Sequence, residues 1–92
     1  QETYNVDYLQ EVIKSALEIR DLDSLSKSQL HLAQGKIVMA SGNWKEAVVS
    51  LELALHFWEG AQVNKDLHKQ LAICYKSLGV ETLSDEHMAL SQ

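Results

Sequence analysis

Laid over itself with a shift of 37 residues, the sequence sets Gly35 on Ala72, Val38 on Tyr75 and Gly42 on Gly79. A shift of 38 sets Leu9 on Ala47, Ile13 on Leu51, Ala16 on Ala54 and Leu17 on Leu55. Small residues mostly fall on small ones and large on large, as close helix packing demands. Ala47 and Ala54 stand seven apart, two turns along one helix face, where a neighbouring backbone can come close. Self-similarity at this period marks units that cannot bury their apolar side alone and therefore stack on one another.

The stretches between these landmarks read as helices. With no proline and four glycines, the 92 residues lack the turn formers of an all-β sandwich. Apolar side chains at Tyr8, Leu9, Val12, Ile13, Ala16, Leu17 and Ile19 predict a helix from Asp7 to Arg20, started by Asn5 or Asp7. Asp21 to Ser26 reads as a polar loop. A second helix is predicted over Lys27–Ser41, ended by Gly42 in the left-handed conformation. Asn43, with Glu46 three residues on, has capping-box spacing for a third helix over Trp44–Glu59, with Gly60 at its stop. Asn64 caps a fourth, Lys65–Leu78, before Gly79, and a shorter fifth falls within Val80–Gln92 behind Thr82 or Ser84. The links at Gly42-Asn43 and Gly79-Val80 are too short for a crossover, so the flanking helices must run antiparallel.

The run Leu32-Ala33-Gln34-Gly35, then Ser41-Gly42-Asn43-Trp44-Lys45-Glu46-Ala47, then Leu51 and Ala54-Leu55, resembles a tetratricopeptide repeat. That family has a small residue in mid helix A, a Gly, Asp or Asn at the turn, and an aromatic opening helix B. The resemblance implies an all-α fold of antiparallel helical hairpins stacked as a short α-solenoid. One domain spans 1–92, with a leading helix over 7–21, a first repeat over 27–61 and a second over 64–92. The second is weaker at its C-terminal helix, where Ser84 stands in place of the family's Ala. The spacing exceeds the family's usual 34, and no proline closes the repeat at Glu59.

The same resemblance implies a groove lined by the A helices and filled by a protein or peptide. Its positions transfer to Gln29, Leu32, Lys36, Met39 and Ala40, then to Asp66, Lys69, Ile73, Lys76 and Ser77. Lys36, Lys69 and Lys76 on one surface call for a partner with acidic side chains or a carboxylate. The chaperone-tail clamp of some relatives pairs Lys with Asn one turn later, and neither repeat has that Asn. Trp44 reads as packing, and Trp58 as a candidate exposed aromatic contact.

Other functions lose ground on composition and motif. A formal charge of −5 opposes non-specific nucleic-acid binding, which needs Lys and Arg against phosphate. No apolar run approaches the ~20 residues of a membrane span. The single cysteine, Cys74, fits a reducing compartment, hence an intracellular setting, cytoplasmic or nuclear. The opening Gln-Glu-Thr, without an initiator Met, reads as a piece of a longer protein or a processed one. His31, His56, His68 and His87 lack the one-turn spacing of a helical zinc site and read as structural. No nucleophile motif or phosphate-cradling loop occurs, so neither an enzyme nor a cofactor is expected. The expected role is an adaptor or scaffold segment, with self-association through the solenoid ends. The alternatives are a small regulatory helical bundle and, behind it, a small enzyme or metal-binding domain.

Overall fold

The computed structural model describes residues 6–92. It holds five helices: α1 (Val6–Leu17), α2 (Ser24–Ala40), α3 (Trp44–Phe57), α4 (Lys65–Ser77) and α5 (Glu81–Leu90), with no strand among the described residues. Each helix packs on the next in chain order, and α2 also touches α4. No other pair of helices meets among the described residues.

Two of the connections are built alike. At the end of α2 the Gly42 N–H bonds the Met39 carbonyl (2.9 Å) and the Asn43 N–H bonds that of Val38 (3.1 Å). At the end of α4 the Gly79 N–H bonds the Lys76 carbonyl (3.0 Å) and the Val80 N–H that of Tyr75 (2.8 Å). Both are Schellman closures, and both need a left-handed residue, supplied by Gly42 (φ 77°) and Gly79 (φ 81°). The repeat landmarks are thus the turns that fold α2 on α3 and α4 on α5.

The predicted helix limits shift where side-chain caps decide them. α2 begins at Ser24 rather than Lys27, because the Asp23 carboxylate accepts both the Ser26 N–H (3.1 Å) and its hydroxyl (2.6 Å). The irregular link is therefore 18–23, with Asp21 left-handed at φ 63°, and α1 stops at Leu17, short of Arg20. Asn5 lies outside the described residues, and Asp7 sits in the first turn of α1. α3 stops at Phe57, where Trp58 turns extended, and Gly60 takes no left-handed conformation. Asn43 and Asn64 cap α3 and α4 as predicted, while Val80 opens α5 without any side-chain bond, displacing Thr82 and Ser84 from that role.

The core is assembled from the three central helices. Val38 of α2, Ala47, Leu51 and Ala54 of α3, and Leu67, Leu71 and Cys74 of α4 are buried together. Full burial of each leucine stabilises the fold by about 1.5–3 kcal/mol. Gly35 lets α2 and α3 close up: a Cβ there would lie 2.7 Å from Leu51 Cδ2. Each hairpin also sends a buried serine hydroxyl across to a helix carbonyl, Ser28 to Ala54 (2.7 Å) and Ser84 to Ala72 (2.9 Å). Ser84 thus occupies the small-residue place on α5, with its hydroxyl bonded.

Candidate protein-binding face

The helical period sorts α4 into four sides. Leu67, Leu71 and Cys74 enter the core. One step round, His68, Ala72 and Tyr75 meet α5, through the His68–His87 contact, the Ser84–Ala72 bond and the stacking of Tyr75 on His87. Asp66 and Gln70 mark the side toward α2, where Asp66 takes a hydrogen-bonded ion pair from Lys36 at 2.7 Å. On the remaining stripe, Lys69, Ile73 and Lys76, both lysines are exposed and Ile73 is half-buried.

Of the three lysines expected on the groove, Lys36 is paired within the chain, with Asp66. The Lys36 hydrogen bond, seconded by Gln70 at 3.0 Å, holds the Asp66 carboxyl below the usual carboxylate range. Lys36 is thereby engaged inside the chain. Both side chains are about half exposed (47% each), so the pair adds only about 0.2–1 kcal/mol. Among the described residues neither Lys69 nor Lys76 has a carboxylate in ion-pair reach.

The other groove residues divide by depth. Gln29, Ala40 and Ser77 are exposed, whereas Leu32 and Met39 are half-buried and pack against the core. Much of their apolar surface is therefore already spent on the fold. Beside them, between α1 and α2, Val6, Leu9, Lys36, Ile37 and Ala40 line an open concavity of about 360 Å³, room for a side chain or two. Sequence reasoning missed it, since Ile37 reads equally well as core.

Trp44, Trp58 and Phe57 serve the fold. Trp44 packs on the core. Trp58, expected as an exposed contact, is half-buried, lies over Gly60 and donates its Nε1–H to the Gln62 carbonyl (2.9 Å), pinning the loop after α3. Phe57 is stacked by His31 (5.8 Å between centroids), with the Lys27 ammonium 5.1 Å above its ring.

Histidine placement departs most from expectation. His68 is buried, and its Nδ1 lies 2.8 Å from Nδ1 of His87. Tyr75 stacks on His87 and donates its hydroxyl to Glu52 of α3 at 2.5 Å. Burial first, then the neighbouring His87, lowers the His68 pKa from its ordinary value, against the pull of Glu52. The Tyr75 hydroxyl is raised, by burial and then by Glu52. Burial also pushes the Cys74 thiol up to about 11. No cluster of three or more metal-ligating side chains occurs among the described residues, and no helix there is long and apolar enough to cross a membrane.

No protein-family model, curated protein or solved structure matches the chain.

Proposed function

We propose that the chain is a non-catalytic protein-binding segment, a short tetratricopeptide-like stack of helical hairpins. The observation that carries this reading is the order of packing. Among the described residues, helices touch their chain neighbours, and beyond these only α2 touches α4, the first helices of the two hairpins. A bundle wrapped round one centre would also bring α1 or α5 onto non-adjacent helices. Stacked hairpins leave one side of their first helices uncovered, and on α4 that side is Lys69–Ile73–Lys76. Two ammonium groups flanking an apolar side chain suit an extended segment with carboxylates on either side of an apolar residue.

The test is selection of displayed peptides on the folded chain. Acidic peptides carrying an apolar residue are expected, weakened by at least tenfold in Lys69→Glu/Lys76→Glu and by added salt. Both lysines are exposed and outside the core, so the double variant keeps its helical circular dichroism. Enriched peptides that bind the double variant as well as the parent would refute the assignment of this face.

A further inference from the structure

We propose that His68 and His87 form a proton-operated latch that holds α5 against α4 and releases it in mild acid. The latch is independent of the peptide-binding reading. Its basis is geometry: two ring nitrogens 2.8 Å apart require a hydrogen between them, donated by one Nδ1 and accepted by the bare lone pair of the other. The rings lie 5.0 Å apart and His68 is buried, so water does not substitute readily for that bond.

Proton accounting makes the contact a threshold device. In the neutral pair one ring is the Nδ1–H tautomer and the other the Nε2–H tautomer. A first proton enters at the free Nε2 of the donor ring, leaving Nδ1–H···Nδ1 intact and charge-assisted. A second proton has nowhere to go but the accepting Nδ1. The hydrogen bond is then lost, and two N–H groups and two positive charges face each other. Of the groups around the pair, Tyr75 of α4 lies against His87 as a neutral ring, and Glu52 of α3, which accepts the Tyr75 hydroxyl, favours a charged His68 but is outweighed by burial and by His87.

The sign follows from linkage. The depressed His68 pKa means that the unfolded or opened chain binds more protons below about pH 6.5. The closed hairpin is therefore fully favoured above that value and loses ground as pH falls through the folded value. Among the described residues α5 packs on α4 alone, and Ser84 is its one buried residue, so the contacts it makes with α4 decide whether it stays closed.

The first hairpin supplies an internal contrast. The 37-residue shift puts His31 and Ser50 in the places of His68 and His87. There Gln34 Oε1 accepts the Ser50 hydroxyl (3.0 Å) and lies 3.3 Å from His31 Nδ1. With a single imidazole, that position cannot build a second cation, and α2–α3 should not respond.

Two measurements on the whole chain decide the matter. Imidazole ¹⁵N spectra at pH 7.5 should show His68 and His87 as complementary tautomers; two Nε2–H rings would overturn the proposal. Amide hydrogen exchange, corrected for its intrinsic pH dependence, should show α5 losing protection at least tenfold more than α3 between pH 7.5 and 5.0. In His87→Gln, whose amide donates without ionising, the excess should fall below threefold. An equal excess in that variant, or none in the parent chain, overturns the latch. If His87→Gln does not fold, the tautomers and the α5-against-α3 comparison in the parent decide alone.

Discussion

Gly35 brings α2 to within side-chain contact of Leu51, and the consequence can be weighed. Alanine there would improve helix propensity by about 1 kcal/mol. Its Cβ would also press 2.7–2.8 Å from Leu51 Cδ2 and Cγ, and Leu51 is fully buried. Overpacking of this kind costs about 1–3 kcal/mol, so Gly35→Ala should be less stable by about 1 kcal/mol in urea unfolding. Leu51→Val should cost about 0.5–1.5 kcal/mol alone and much less beside Gly35→Ala, the two sites being coupled. A stabilised Gly35→Ala variant would mean that the helices are not in tight contact. Residues of this kind were legible in the sequence, because small side chains recurring at Gly35, Ala47, Ala54 and Ala72 mark where a second helix comes close. The histidine pair was not legible, since it depends on hairpin register. The Ser84–Ala72 bond supplies that register: one turn back from Ala72 is His68, and three residues on from Ser84 is His87. The engagement of Lys36 was hidden for a similar reason, its partner Asp66 lying on the next hairpin.

The elements are positioned by caps more than by their interiors. Asn64 accepts the Leu67 N–H at 3.1 Å and starts α4, which like α2 meets three of the other four helices. Asn64→Ala should lower stability by about 1 kcal/mol, while Asn64→Asp should keep nearly all of it, read from urea midpoints at unchanged slope. Equal losses in the two variants would show that Asn64 acts by packing and not by its oxygen. The same physics governs which boundaries the sequence disclosed. Asn43 and Asn64 stand alone before apolar runs, so their capping was visible. Asp23 is followed by Ser24-Leu25-Ser26, which looks like loop until Asp23 is seen to bind Ser26 twice. The stop of α3 was hidden because Trp58 leaves the helix to cover the following loop, its ring lying where only a glycine at position 60 leaves room and its Nε1–H bonded to the Gln62 carbonyl.

At the scale of the molecule, the connected apolar cluster among the described residues is built by α2, α3 and α4, and the outer helices add few buried side chains. α1 buries only Ile13 and leaves Val6 and Val12 exposed, while α5 buries only Ser84. Helices of twelve and ten residues are marginal in water without tertiary support. A stack of neighbour contacts weakens from its ends, so its unfolding should not be a single event. Trp44 and Trp58, the two tryptophans, both stand at the limits of α3 and report the centre, whereas far-ultraviolet circular dichroism reports all five helices. In urea at pH 7.5 the helical signal should therefore begin to fall before tryptophan fluorescence changes, and α1 and α5 amides should exchange before those of α3. A bundle closed round a common centre would lose both signals together. Coincident transitions would mean that the end helices share the core's cooperativity, and the packing order would then be a poor guide to how the chain is stabilised.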